Sequence, residues 1–264
     1  MVGPIWRERF LNSMKSLNIS LSVRIPDVQK LIEEKQIPKF QNIRATRRQY
    51  DYLGTKIFNL GKFHSYSEIG RSQNVQHFRP RGKPAIWIDA GIHAREWVSP
   101  ATATYFINTL ATRYNSDSSI RYLVDNLDWY IMPVMNPDGY EYSRSSTDPK
   151  TRLWRKNRAP CQTNPKSTWG YVARESDCCG VDLNRNFDFH WGGASSSSDP
   201  CEEIYQGSAP FSEPETRAIR DFVSRRDLNF QGFITMHSYS QIWMYPFGHE
   251  KHRYPEDVGD LVCQ

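Results

Sequence analysis

The sequence predicts an α/β protein, with a mixed, twisted sheet flanked by helices. From Pro84 onward, apolar strand-like runs alternate with amphipathic runs of helical period. Turn and capping residues fall between them, and 264 residues with 38% hydrophobic and 13% aromatic content suffice for a large core. Ala85-Ile86-Trp87-Ile88-Asp89-Ala90 reads as a buried strand, and the run from about Trp97 to Tyr114 as a helix. Asp128 to Met135 is a second strand, closed by the turn Asn136-Pro137-Asp138-Gly139. Ser212-Glu213-Pro214-Glu215 has the form of a capping box with proline in the first turn, predicting a helix to about Arg226. Phe230 to Met236 is then a strand that delivers His237 at its C-terminal end, where open α/β sheets collect ligands.

Residues 1 to 48 differ in character, with charged, helix-permissive runs and a strand-like Leu21-Ser22-Val23-Arg24-Ile25. Asp27 after that strand is placed to cap a helix burying Val28, Leu31 and Ile32. The segment ends near Arg47-Arg48, paired cations that suit trypsin-like cleavage and equally suit an exposed basic helix end. The formal charge is +5, but the 34 Lys and Arg are scattered among 29 acids, without the basic stripe that nucleic-acid binding needs. No apolar run approaches the ~20 residues that cross a bilayer, and Met1 to Arg7 contain no signal-peptide core. No nucleic-acid or membrane partner is therefore expected. Cys161, Cys178, Cys179 and Cys201 gather in one loop-rich region and favour disulfides and an oxidising compartment. Cys263 is left over, and Asn18-Ile19-Ser20 is a glycosylation sequon usable only in the secretory path. Ala194-Ser195-Ser196-Ser197-Ser198 is a short low-complexity loop with no evident chemistry.

The chemistry concentrates in four motifs. His93-Ala94-Arg95-Glu96-Trp97 follows an apolar strand, and residues three apart share a face where strand gives way to helix. His93 and Glu96 can then meet one ion, with His237 as the third donor; two imidazoles and a carboxylate hold catalytic zinc and leave a position for water. A salt-bridged loop histidine is the plainer alternative for the pair by itself. In Val181-Asp182-Leu183-Asn184-Arg185-Asn186-Phe187, a guanidinium fork beside an amide suits capture of a chain's terminal carboxylate, the alternative being a surface salt bridge. Arg152-Leu153-Trp154-Arg155-Lys156 clusters fixed cations that could stabilise a developing oxyanion, or simply form a solvated turn. His249-Glu250-Lys251-His252, among Pro246, Gly248 and Pro255, reads as a solvated turn and not a second metal site.

Taken together, His93-Ala94-Arg95-Glu96-Trp97, Trp154-Arg155-Lys156, Asp182-Leu183-Asn184-Arg185-Asn186 and His237-Ser238-Tyr239-Ser240-Gln241 resemble the zinc metallocarboxypeptidases of the pancreatic carboxypeptidase A and B type, in order from about Leu21 to Gly248. The resemblance implies that His93, Glu96 and His237 hold one Zn²⁺, while Asn184 and Arg185 bind the substrate's terminal carboxylate. Arg155 would polarise the scissile carbonyl, and Arg95, Arg152, Ser238 and Tyr239 would line the upstream subsites. It pairs Cys178 with Cys201, and leaves open how Cys161, Cys179 and Cys263 pair, a Cys161–Cys179 bridge being one option. Residues 1–48 would be part of an α+β inhibitory pro-segment and residues 49–264 a catalytic domain opening at Phe63-His64-Ser65-Tyr66. The implied protein is a secreted zymogen, activated by a trypsin-like protease at Arg47/Arg48, that acts on peptide and protein C-termini.

Two departures from the pattern carry expectations of their own. The family's general-base glutamate and mobile tyrosine fall well after the third ligand; Glu250, Glu256, Tyr245 and Tyr254 lack that context, so the general-base Glu is absent from the chain. After Ile69 the sequence runs into Gly70-Arg71-Ser72 where the family interposes a helix and a strand, a loss of about 25 residues by average element sizes. A truncated isoform with an incomplete sheet is the expectation, with little or no peptidase activity, since acid–base assistance typically contributes ~10²–10⁴ in rate. An inactive zinc- or peptide-binding product is the alternative function. A zinc amino-acid deacylase shares His-x-x-Glu, but the pro-segment and cysteine loop argue against it. Met244 and Gly248 leave room in the specificity pocket without deciding between aromatic, basic and acidic C-termini.

Overall fold

A computed structural model describes residues 7–17, 19, 25, 27–35, 59–72, 82–161 and 178–262. Strand β1 (Ala85–Ala90) lies between β2 (Asp128–Met132) and β3 (Phe230–Met236), giving the order β2-β1-β3. Both pairings are parallel, with Ile88 opposite Ile131 on one side and Ile234 on the other. The α/β class is as expected, but the antiparallel pairing of a mixed sheet is not found among the described residues. A central parallel strand is covered on both faces, which is why β1 reads as an almost unbroken apolar run. β2 stops at Met132, three residues short of the expected end, because Pro133 has no N–H to continue the ladder.

The helices are α1 (Arg7–Ser16), α2 (Val28–Lys35), α3 (Tyr66–Ser72), α4 (Val98–Arg113), α5 (Ser118–Asn126), α6 (Pro137–Arg144), α7 (Pro149–Arg152), α8 (Pro214–Val223) and α9 (Val258–Val262). Asp27 caps α2 as expected, its Oδ1 accepting from Lys30 N at 3.0 Å. Of that helix's three apolar residues only Ile32 is buried, while Leu31 is exposed. α4 occupies the predicted helix. Asn136-Pro137-Asp138-Gly139, expected to be a closing turn, instead starts α6: Asn136 Oδ1 accepts from Gly139 N at 3.0 Å and Pro137 takes the first helical position. α8 ends at Val223, short of Arg226, and its capping box does not form. Ser212 Oγ turns to Glu213 Oε1 (2.8 Å), and Asn186 Oδ1 supplies the cap by accepting from Glu213 N at 3.1 Å and Thr216 Oγ1 at 2.7 Å.

Trp87, Ile92, Met135, Leu183 and Ile219 form the main core cluster, with Phe222 and Phe230 packed on it. A second cluster, Ile69, Trp97, Val134 and Tyr140, joins α3, α4 and α6. The Cys178–Cys201 disulfide implied by the resemblance is formed, and Cys161 pairs with Cys179, the option the sequence left open. Gly180 follows them at φ +75°, where an added Cβ would lie 2.3 Å from Asn157 O, so the crossing of these segments requires glycine. β3 pairs only with β1 among the described residues, and Trp243 (90%), Met244 (77%) and Ile242 (63%) beyond it are exposed. No described helix is long and apolar enough to cross a membrane. Arg47, Arg48, Cys263, Asn18, Ser20 and residues 21–24 lie outside the described residues.

Candidate metal centre

The site is built where two parallel strands end side by side. β1 leaves the sheet through Gly91, whose N–H donates to Ser99 Oγ (3.1 Å), and Ser99 Oγ donates to Glu96 O (2.9 Å). Asn136 Nδ2 donates to Ile92 O (3.2 Å) and Lys156 O (3.1 Å), so the turn carrying His93 and Glu96 is fastened from α4 and α6. Glu96 N donates to His93 O at 3.2 Å, which puts the two side chains on one face as their spacing predicts. β3 brings His237 to the same place from the other side.

One carboxylate joins the two imidazoles. Glu96 Oε1 lies 2.7 Å from His93 Nδ1 and Oε2 lies 3.2 Å from His237 Nδ1, while Ser238 N donates to Oε2 at 3.0 Å. One donor atom from each of His93, Glu96 and His237 lies within 4.8 Å of the other two. Donors on a tetrahedral zinc with bonds of about 2.0–2.1 Å stand roughly 3.3 Å apart. The carboxylate–imidazole contacts of 2.7 and 3.2 Å lie just under that spacing, the three donors fall within 4.8 Å of one another, and their chemistry is right, so the set fits a zinc ion. Burial works to raise the Glu96 pKa, but hydrogen bonds from His237 and His93 outweigh it and hold the carboxyl down at about 2.

Asp182, which sequence reasoning left without a role, organises the rest. Fully buried, it places Oδ1 3.2 Å from His93 Nε2 and accepts from Asn184 N at 3.0 Å, while Arg155 Nε donates to Oδ2 at 2.9 Å. Its contact occupies the far nitrogen of His93 and leaves Nδ1 toward Glu96, the way an outer-shell carboxylate orients a metal-ligating histidine. Burial tends to raise the Asp182 pKa, yet the bond from His93 and the charge of Arg155 bring it below the ordinary value. For His93, burial acts downward and is overcome by the bonds to Asp182 and Glu96, so its pKa is raised. The only sequence signal for Asp182 is its place two residues before Asn184. Asp182→Asn is expected to weaken zinc binding about 10- to 100-fold, measured by competition with a chelator; an unchanged affinity would contradict the orienting role.

The other expected site residues fall in three groups. Asn184 and Arg185 sit on a 3₁₀ turn (Leu183–Arg185) capped by Asp182. Arg185 Nε donates to Ser195 O at 2.8 Å and Nη1 to Asn184 O at 2.9 Å, so the serine-rich loop, silent in the sequence, orients this guanidinium. Arg95 and Arg152 lie along the seam between the Glu96 turn and α7: Arg95 Nη1 contacts Leu153 O (3.1 Å) and Glu203 Oε1 (3.2 Å), and Arg152 Nη1 donates to Arg95 O (2.9 Å). Ser238 belongs to the centre through its backbone. Tyr239 does not, being 96% exposed. Beside Arg155, Lys156 is buried and donates to Pro200 O at 2.8 Å; that burial lowers its pKa to about 8. Glu250, on an exposed loop, pairs with Arg253 at 3.0 Å.

Residues 46–262 match the zinc carboxypeptidase family. Carboxypeptidase A2 of Mus musculus is 37% identical over 274 residues, covering 94% of this chain and 60% of its own. A zinc carboxypeptidase of Simulium vittatum is 44% identical over 209 residues, covering 77% and 62%. The chain thus spans about 60% of the length of the curated relatives it matches. Among solved structures, thrombin activatable fibrinolysis inhibitor superposes with a TM-score of 0.75 at 31% identity, over 98% of this chain and 65% of that one. Carboxypeptidase A from Helicoverpa armigera superposes with a TM-score of 0.69 at 27% identity, over 98% and 64%.

Proposed function

Because the chain belongs to the zinc carboxypeptidase family, we propose that it binds one Zn²⁺ through His93, Glu96 and His237 and serves hydrolysis of the C-terminal peptide bond of peptides and proteins. The observation that carries this reading is the convergence of those three side chains, from the ends of two strands, beside an arginine fixed by a buried aspartate. A bound zinc would supply Lewis-acid polarisation and acidify a water molecule. Arg155, held by Asp182, would present its guanidinium to the scissile carbonyl without reorganising when charge develops there. Arg185, steadied by Ser195 O, and Asn184 would take the terminal carboxylate and set the register so that only the last bond is presented. The hydrogen bonds from His237 and His93 favour the ionised form of Glu96, the form that ligates.

In the same reading residues 1–48 belong to an inhibitory pro-segment released at Arg47/Arg48 by a trypsin-like protease. Packing of α2 against α7, the helix that carries Arg152, supports this reading. The two disulfides support a secreted, extracellular protein.

The test is metal analysis of the purified 264-residue protein, followed by binding of a blocked dipeptide with a free or an amidated C-terminus. One zinc per chain and zinc-dependent binding lost on amidation are expected. Substoichiometric zinc, or equal binding of the two peptides, would overturn the reading.

A further inference from the structure

The turn that carries Glu96 is laced to the segment that carries Arg155 in both directions. Ala94 N donates to Arg155 O at 3.0 Å, Arg152 Nη1 to Arg95 O at 2.9 Å, and Arg95 Nη1 to Leu153 O at 3.1 Å. Two of these three bonds are made by arginine side chains reaching the opposite backbone. Arg152 also lays its guanidinium 3.6 Å from the centre of the Trp97 ring. That ring is buried, donates from Nε1 to Ser143 Oγ at 2.8 Å and meets Phe63 edge-on. Both sequence neighbours of Glu96 are therefore gripped by one side chain, the carbonyl of residue 95 and the ring of residue 97. Among the described residues the Glu96 carboxylate itself meets the two imidazoles and Ser238 N.

We infer that Arg95 and Arg152 are positioning residues for the metal centre, a reciprocal clasp that sets the Glu96 carboxylate and the Arg155 guanidinium at a fixed separation. The inference rests on the proposed zinc site and departs from the subsite role that resemblance implies for both residues. A guanidinium suits the task because one planar group can stack on an indole and donate in its own plane at the same time; an ammonium can do only one of these well. Ser99 and Asn136 hold the backbone of this turn from the α4 and α6 side, and the clasp adds the hold from the Arg155 side, so loosening it would shift Glu96 relative to Arg155.

The experiment measures zinc affinity by chelator competition, without substrate, in the parent protein and in Arg152→Met, Arg152→Lys and Arg95→Met, each checked for native melting. Arg152→Met is expected to weaken zinc about 10- to 100-fold, the range for outer-shell partners, and Arg95→Met about tenfold. Arg152→Lys should recover part of the loss, since it restores the hydrogen bond but not the stack. The visible spectrum of the cobalt-substituted variants should shift with the same ranking. Should Arg152→Met not fold, Arg95→Met, at a partly exposed position, carries the test. Zinc affinity within twofold of the parent in the folded variants would overturn the inference alone, whereas a parent chain that binds no zinc would overturn the metal reading itself.

Discussion

Replacing Glu96 with alanine is expected to remove stoichiometric zinc. Among the described residues its two oxygens are the groups that face His93 Nδ1 and His237 Nδ1, so the change deletes one ligand and the element that spaces the other two. Zinc sites of small domains bind with about 10–16 kcal/mol in total, so one ligand corresponds to roughly 3–4 kcal/mol, or about 10²–10³ in affinity. Metal analysis after dialysis against a weak chelator reads this directly; an alanine variant that keeps one tight zinc would mean the ion is held elsewhere. The same site has a defined pH response. Glu96 is held near 2, whereas the raised pKa of His93 means that it takes up its proton earlier on acidification than an ordinary histidine. A protonated imidazole cannot ligate, so zinc affinity should fall as pH drops through the histidine range. Release delayed until the carboxylate range would contradict this assignment.

The largest expected loss of stability is at Asn186, a residue with no part in the chemistry. Its side chain is fully buried: the two Nδ2 hydrogens are shared among Gln206 O (2.9 Å), Ala209 O (3.0 Å) and Ser212 Oγ (2.9 Å), and Oδ1 accepts from Glu213 N and Thr216 Oγ1. Alanine would strand several of these groups away from water at about 1–3 kcal/mol each, so Asn186→Ala should cost roughly 3–5 kcal/mol after partial relaxation. In a domain of this size that corresponds to a fall in Tm of about 10 °C, measured on the disulfide-intact protein. Asn186→Asp is no rescue: a carboxylate keeps the two accepted bonds but cannot donate to three acceptors. A shift below about 2 °C would show that the α8 cap does not depend on this amide.

Several short-range rules carry over from the sequence to the structure unchanged. The apolar run of β1, the period of α4, the β3 strand, the Asp27 cap and the His93–Glu96 pair each depend on residues a few positions apart, and all can be read without a fold. Even there proline is ambiguous. Pro137 marks a turn and equally the first residue of a helix, and only the buried Asn136 cap selects the helix. The expected capping box failed for a related reason, since Asn186, 27 residues upstream of Glu213, takes over its function.

Composition and periodicity alone thus determined the α/β class and the two strand ends at which metal ligands would gather. Tertiary structure decided the rest: Asp182 against His93 across 89 residues, Arg152 against Arg95 across 57, and Ser195 beneath Arg185. None of these contacts has a signature in the residues next to it; the metal centre itself exists only once the parallel β1–β3 ladder brings Ala90 and Met236 side by side at the strands' C-terminal ends. A buried polar group must find its partner in whatever the fold places next to it, and that placement is a property of the topology, not of the neighbouring sequence.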